Sequence, residues 1–133
     1  ELGAKSAMVV SGYGGLDELT TTGPNVISHL KDGRVETYEL DPRTYGFASA
    51  SIVDLLGGDA ETNAAILRGI LSGEIRDAKR DVVVLNAAAA FMAAEKAKNI
   101  GEGIELATQV LDSGVALTKL EALIAYTQEV AKQ

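Results

Sequence analysis

Two adjacent carboxylates, Asp17 and Glu18, follow a cluster of three glycines, Gly12, Gly14 and Gly15. Glycine adopts backbone conformations that other residues avoid, so the chain can bend sharply at this cluster. Mg²⁺ prefers oxygen ligands and is commonly bound through one or two carboxylates, with water in the remaining positions. Neighbouring side chains of a regular strand point to opposite faces, so both acids can address one ion only where the backbone is irregular. The segment is a candidate magnesium site, and a turn with two solvated acids is the competing interpretation.

Other polar groups indicate chemistry less clearly. The glycine cluster could present backbone N–H groups to a phosphate, but its spacing matches neither a Walker loop nor a dinucleotide-binding fingerprint. The two acids that follow would also repel a phosphate unless a cation intervened. His29, the only histidine, lies in a predicted strand without partners for a catalytic triad. Asn86 lies in an apolar helical stretch, where its amide is expected to hydrogen-bond to a neighbouring loop.

Composition limits the classes of partner. The chain has 133 residues, which fits one domain with a core of its own, and 19 acids against 12 bases give a net charge of −7. Such a surface disfavours nucleic acid and anionic membranes. The absence of cysteine excludes disulfides and thiolate metal sites and fits a reducing compartment. The most apolar run, Val82–Ala94, is shorter than the roughly 20 residues of a membrane span, and the first ten residues lack a signal-peptide pattern. We therefore expect a cytoplasmic protein without nucleic-acid or membrane partners.

The first half of the sequence is predicted to form strands. Ala7–Val10 is a continuous apolar run, typical of a strand that is buried on both faces. Asn25–Leu30 and Arg34–Leu40 alternate apolar and polar residues, and the Asp-Gly turn between them predicts a β-hairpin. Within the hairpin, Val26 is expected to face inward.

The second half is predicted to form helices. The stretch Asp77–Lys98 is apolar all round in its middle, so it should be the central packed helix. Strands followed by helices indicate the α/β class, here part of a mixed, mainly parallel sheet covered by helices, with a β-hairpin insertion. The other predicted helices cover Ser51–Leu56, Asp59–Ser72, Ile104–Leu111 and Val115–Ala131, and Asn99–Gly103 is predicted to be a break.

Two features favour a chain that is one portion of a longer protein. Glu1–Lys5 reads as the tail of a helix, with Gly3 as a left-handed stop, and the strand Ala7–Val10 follows at once. Two or three strands are also few for a sheet covered by five helices, and the edge of Ala7–Val10 would remain unpaired. We expect the missing strands to lie upstream.

The sequence resembles the C-terminal part of the anthranilate phosphoribosyltransferase family. The Gly-Leu-Asp-Glu element is the specific part of the resemblance, and the other stretches mainly carry the fold. The resemblance implies the fold of the C-terminal domain of nucleoside phosphorylases and phosphoribosyltransferases, with residues 1–133 as the C-terminal portion of the α/β domain. The N-terminal helical domain and the first part of the α/β domain would then lie outside the chain. The matching stretches occur in the family's order and are Val9–Gly12, Gly15–Leu19, Gly57–Ala64, Val84–Ala90 and Asp112–Gly114.

The resemblance also implies a reaction and a site. Enzymes of this family transfer the phosphoribosyl group from phosphoribosyl pyrophosphate to anthranilate and release pyrophosphate, a step of tryptophan biosynthesis. By resemblance, Asp17 and Glu18 bind Mg²⁺ associated with the pyrophosphate, and Gly12, Gly14 and Gly15 keep the supporting loop open.

The chain departs from the family pattern in two respects. Ser11 stands where the family commonly has His, which leaves the role of this position open. The family's glycine-rich pyrophosphate loop, its lysine contacts to the ribose phosphate and its anthranilate-binding arginine have no counterpart here, so no catalytic residue is assigned to this chain. We expect the chain alone to bind the substrates poorly and to be inactive, and we expect the parent enzyme to be a homodimer through its N-terminal helical domain.

Two alternatives stay open. A fragment of an enzyme like pyrimidine nucleoside phosphorylase would share the two-domain architecture, although the Gly-Leu-Asp-Glu element favours the phosphoribosyltransferase. A non-catalytic domain that binds a protein partner through an exposed sheet edge is the alternative from another class.

Overall fold

A computed structural model describes residues 3–132 as a small sheet packed against helices. Three 3-10 turns, Tyr13–Gly15, Pro42–Tyr45 and Ile52–Leu55, occupy the connections. Within the described residues the strands are β1 (Ala7–Ser11), β2 (Asn25–Lys31) and β3 (Arg34–Leu40), and the α-helices are α1 (Ala60–Ser72), α2 (Ala78–Ala93), α3 (Ile100–Asp112) and α4 (Val115–Val130).

The strands form a sheet in the order β1-β2-β3, with both pairings antiparallel. Asp32 and Gly33, with φ of 50° and 73°, make the tight turn of the β2–β3 hairpin. The α/β class and the hairpin are confirmed, but the sheet of the described residues is antiparallel rather than mainly parallel. A parallel pair needs a long crossover, usually a helix, whereas a tight turn and an irregular reversal connect these strands.

One face of the sheet is covered and the other is open. Val10, Ile27 and Tyr38 are partners in register and pack into the core, where Ile27 is fully buried. On the opposite face Val9 is 71% exposed and Val26 is 46% exposed. The expectations that β1 is buried on both faces and that Val26 faces inward are therefore wrong. The pleat sends successive side chains to opposite faces, and the helices of the described residues cover only one of them.

Helix α2 lies between the sheet and α3, so its prediction as the central packed helix is confirmed. Its residues Leu85 and Ala88 belong to the cluster beneath the sheet, and Val84 packs in a second cluster with residues of α3. The two helices approach closely, because a Cβ at Gly103 would lie 2.7 Å from the carbonyl oxygen of Ala88. Helix α2, in this closely packed centre, carries one of the side chains that hydrogen-bond to the loop of the candidate site.

Two helix boundaries differ from the predictions. Helix α2 ends at Ala93 rather than Lys98, because Glu95 adopts a left-handed conformation with φ of 55°. Helix α3 begins at Ile100 rather than Ile104, because the side chain of Asn99 caps it by accepting a hydrogen bond from the N–H of Glu102.

The two ends of the described region, residues 3–132, add little to the core. Gly3 has a φ of 75°, as a left-handed stop requires, but residues 1–2 of the predicted helix tail lie outside the described residues. Helix α4 contributes no buried residue to the part of the chain that is described. Between residues 3 and 132, no helix has both the length and the apolar character needed to cross a membrane.

Candidate metal site

The acid pair lies in a bend between the turn Tyr13–Gly15 and strand β2, outside the strand ladder. Asp17 and Glu18 are both exposed. Just before them the chain folds back on itself, because the N–H of Gly12 donates to the carbonyl of Leu16 at 2.8 Å. The irregular backbone that a shared cation requires is therefore present at this position.

The three glycines have two different functions in this bend. Gly14 and Gly15 have φ of 75° and 86° with open space where a Cβ would lie, so the backbone conformation itself favours glycine. Gly12 has an ordinary φ of −78°. A Cβ on Gly12 would, however, lie 2.2 Å from the carbonyl oxygen of Glu18. Gly12 is thus a close-packing residue that lets two stretches of backbone touch.

The side-chain amide of Asn86, in the middle of α2, holds the residue that follows the acid pair. Its Oδ1 accepts a hydrogen bond from the N–H of Leu19 at 2.9 Å, and its Nδ2 donates to the carbonyl of Leu19 at 2.7 Å. Leu19 itself is fully buried. The expected hydrogen bond from Asn86 to a neighbouring loop is confirmed, and that loop is the one that carries the acids.

The side-chain amide of Asn25 binds the backbone of Thr20, the residue after Leu19, in the same way. It is fully buried, its Oδ1 accepts from the N–H of Thr20 at 2.8 Å, and its Nδ2 donates to the carbonyls of Thr20 at 3.0 Å and Leu40 at 3.3 Å. Asn25 was not predicted from the sequence as part of the site. An asparagine between Pro24 and an apolar strand gives only a turn signal, and the contact to Leu40 depends on the hairpin.

One cationic side chain, that of Lys79, lies near the acids but is not paired with them. Among residues 3–132, neither Asp17 nor Glu18 forms an ion pair with Lys, Arg or His. Glu18 lines a groove of about 370 Å³ together with Lys79, whose ammonium donates to the carbonyl of Asp54. The side-chain pKa of Asp54 lies below its usual value because the backbone N–H and the hydroxyl of Ser51 both donate to its carboxylate.

The donor set fits magnesium better than zinc. The described residues contain no group of three or more His, Cys, Asp or Glu side chains that could hold a metal ion, so His29 does not join the acid pair. Structural zinc sites need about four nitrogen or sulfur ligands. Mg²⁺ needs only one or two carboxylates when water and phosphate oxygens complete its shell. Asp17 and Glu18 therefore suit a magnesium ion that arrives with a phosphate ligand.

The fold, a small sheet against a helical layer, matches a known class of transferases. The sequence model of the glycosyl transferase family, a/b domain, matches residues 1–117. The chain belongs to this family.

Individual relatives indicate which enzymes of this family the chain is similar to. The anthranilate phosphoribosyltransferase of Rubrobacter xylanophilus is 48% identical over 130 residues, which are 98% of this chain and 38% of that protein. The enzyme of the same name from Roseiflexus castenholzii is 52% identical over 124 residues, 92% of this chain and 36% of that protein. The resemblance drawn from the sequence is confirmed, and the chain spans less than two fifths of the curated relatives it matches.

Solved structures agree with these relatives. The anthranilate phosphoribosyltransferase of Thermus thermophilus has a TM-score of 0.82 and 38% identity, covering 92% of this chain and 36% of that one. The enzyme of Saccharomyces cerevisiae in complex with PRPP and Mg has a TM-score of 0.76 and 28% identity, covering 86% of this chain and 33% of that one.

Proposed function

We propose that this chain is part of an anthranilate phosphoribosyltransferase and contributes to it a magnesium-binding acid pair, Asp17 and Glu18. The enzyme transfers the phosphoribosyl group of phosphoribosyl pyrophosphate to anthranilate, in tryptophan biosynthesis in the cytoplasm. The observation that carries the proposal is the exposed acid pair itself, which lies in an irregular bend, free of ion pairs among the described residues and followed by buried backbone.

The chemistry of the site follows from charge. When bound, Mg²⁺ offsets the charge that a diphosphate gains as its bond to the ribose breaks. Asp17 and Glu18 supply the negative charge that attaches such a cation to the protein. Gly14 and Gly15 add no side chains beside the acids, which leaves room for a bulky phosphate ligand. Buried Leu19 anchors the end of the bend, so the backbone that carries the two acids needs little reorganisation on binding.

The ligands of structural neighbours support this choice of cofactor and substrates. The yeast enzyme has been solved with PRPP and Mg, and also in complex with 4-fluoroanthranilate, where the TM-score to this chain is 0.83. Magnesium, phosphoribosyl pyrophosphate and anthranilate are therefore the ligands that we assign to the whole enzyme.

The rest of the enzyme would complete the site. We assign residues 1–133 to the C-terminal portion of the α/β domain and the homodimer contact to the N-terminal helical domain of the parent. The open face of the sheet, where Val9 is 71% and Val35 66% exposed, supports a further layer of protein on that side.

A titration tests the metal site. The ¹⁵N-labelled chain is titrated with MgCl₂ in the presence of inorganic pyrophosphate, and backbone amide shifts are followed by NMR. We expect shifts confined to Gly15–Leu19. The absence of shifts there at millimolar metal would contradict the assignment of the acid pair.

A steady-state assay tests whether the catalytic residues lie in the part of the enzyme outside this chain. With anthranilate, phosphoribosyl pyrophosphate and MgCl₂, the 133-residue chain is expected to show no turnover. A full-length enzyme such as that of Rubrobacter xylanophilus serves as the positive control. Clear turnover by the isolated chain would refute the view that the remaining polypeptide supplies the catalytic residues.

A further inference from the structure

The peptide bond between Glu18 and Leu19 is held from two directions. Its N–H, on Leu19, donates to Oδ1 of Asn86 at 2.9 Å. Its carbonyl oxygen, on Glu18, packs against Gly12, where a Cβ would come within 2.2 Å of it. Because the peptide group is planar, contacts at both atoms fix the orientation of the whole group. The backbone from which the Glu18 carboxylate extends is thereby fixed as well.

The amide of Asn86 is itself fixed. Besides the two bonds to Leu19, its Nδ2 donates to the carbonyl of Val82, one turn earlier in α2, at 2.9 Å. The amide has one accepting oxygen and two N–H donors, and both sides are used. A flipped amide would set its NH₂ against the N–H of Leu19, so only one orientation satisfies all three bonds. Through these hydrogen bonds Asn86 ties the bend to the central helix α2, which restricts the movement of the bend relative to the helix.

We infer that Asn86 is a positioning residue for the metal site. It acts through Leu19 to hold the carboxylate of Glu18, with Asp17 beside it, in an orientation that suits one cation. The inference rests on the proposed function of the acid pair. A purely structural tie between helix and loop would affect stability but leave the metal affinity of the folded chain unchanged.

Two variants of Asn86 separate these roles. Asn86→Ala removes all three hydrogen bonds. Asn86→Asp has nearly the same size and keeps an acceptor for the N–H of Leu19, but sets a second oxygen against the Leu19 carbonyl. Its extra negative charge would by itself attract a cation, so weaker binding in this variant reports lost positioning rather than lost charge. The matched control is Val84→Ala, also on α2, where Val84 is 2% exposed and packs towards α3.

The experiment measures the Mg²⁺ dissociation constant of each folded chain in the presence of pyrophosphate, and its melting temperature by circular dichroism. We expect both Asn86 variants to weaken Mg²⁺ binding by about 10–100-fold, as loss of an outer-shell partner commonly does. Val84→Ala should lower the melting temperature and change the affinity by less than twofold.

The possible failures are distinguishable. Asn86 variants that bind Mg²⁺ within twofold of the wild type overturn the inference, even when they are less stable. If Asn86→Ala does not fold, the nearly isosteric Asn86→Asp decides. A wild-type chain without metal-dependent shifts contradicts the proposed function of Asp17 and Glu18 and removes the basis of the inference with it.

Discussion

Two segments of this chain combine left-handed glycines with acidic side chains, and they differ in what holds them. The acid-pair segment, residues 12–20, ends in Leu19 and Thr20, which are fully buried and bonded by two asparagine side chains. The hairpin tip, residues 31–36, has a left-handed Gly33 and two acids, but every one of its residues is exposed. The same residue types thus occur once on a fixed backbone and once on a solvated turn.

The charges around the two segments differ as well. At the hairpin tip, Asp32 and Glu36 line a groove of about 350 Å³ together with Lys31 and Arg34, which offer positive charge to the same space. In the acid-pair segment, Glu18 shares its groove with Lys79, but the Lys79 ammonium donates to the carbonyl of Asp54, and neither acid forms an ion pair among the described residues. The comparison shows that a pair of acids becomes a candidate cation site through its support and its surroundings, since composition alone does not separate the two segments.

The largest expected effect comes from removing the acids themselves. The double substitution Asp17→Asn with Glu18→Gln should weaken Mg²⁺ binding by more than the roughly 100-fold that loss of an outer-shell partner can cost. Calorimetry with MgCl₂ and pyrophosphate measures it. The matched control is Asp32→Asn with Glu36→Gln at the hairpin tip, and an equal loss of affinity in both double variants would contradict the distinction between the segments.

Glycine substitutions test whether the backbone is held differently. Gly12→Ala places a Cβ 2.2 Å from the carbonyl of Glu18. It should cost about 1–3 kcal/mol of unfolding free energy by overpacking and should also weaken Mg²⁺ binding. Gly33→Ala, at φ of 73° with open space around it, should cost about 1–2 kcal/mol and leave metal binding intact. Urea unfolding and Mg²⁺ titration of both variants provide the check, and unchanged affinity in Gly12→Ala would argue against a constrained site.

A smaller contrast concerns side-chain hydrogen bonds. Asn25→Ala leaves the buried N–H of Thr20 without its 2.8 Å partner, so the unfolding free energy should fall by about 1–3 kcal/mol. Thr37→Val removes the exposed hydrogen bond of 2.8 Å between Ser28 and Thr37 near the hairpin tip, and should change stability by about 0.5 kcal/mol or less. Chemical denaturation followed by circular dichroism measures both, and equal losses would indicate that the two segments are equally supported.

The smallest effect is expected from pH at the base of the hairpin. Arg43 lowers the pKa of Asp41 because its side chain and its backbone N–H donate to the carboxylate. A depressed carboxyl pKa stabilises the fold above the unfolded pKa, near 3.8, and this contribution is lost as the pH falls through the folded pKa. Arg43→Gln should therefore raise the pKa of Asp41, which a carboxyl ¹³C titration detects. The small stability difference from the wild type should vanish at pH values below the folded pKa, and a difference that grew in acid would contradict this pairing.

Local signals predicted part of the fold. The Asp-Gly turn fixed the hairpin because few other residues tolerate its φ values, and the all-round apolar middle of α2 predicted its central place. The inward face of β2 was mispredicted because Val26 and Ile27 are adjacent and both apolar, so alternation does not choose between them. The early end of α2 also escaped prediction, since Glu95 is a good helix former and only the backbone turn around it ends the helix.

The candidate site was likewise predictable from the sequence only in part. Asp17 and Glu18 became candidates through their types, their neighbouring glycines and the family resemblance, and a hydrogen bond from Asn86 was expected from its apolar surroundings. The partner of that bond is Leu19, 67 residues away in sequence. The link from Asn25 to Leu40 likewise exists only once the hairpin is closed. Such long-range contacts arise from tertiary packing, and no local pattern encodes them.

The claim that Asp17 and Glu18 share one divalent cation is tested most directly with Mn²⁺, a paramagnetic ion that accepts the same oxygen ligands as Mg²⁺. Trace Mn²⁺ is added to the ¹⁵N-labelled chain with pyrophosphate, and the broadening of each amide resonance is measured. We predict that broadening is strongest at Leu16–Leu19 and disappears in the Asp17→Asn, Glu18→Gln chain. Broadening centred on the hairpin tip, or unchanged in the double variant, would contradict the claim.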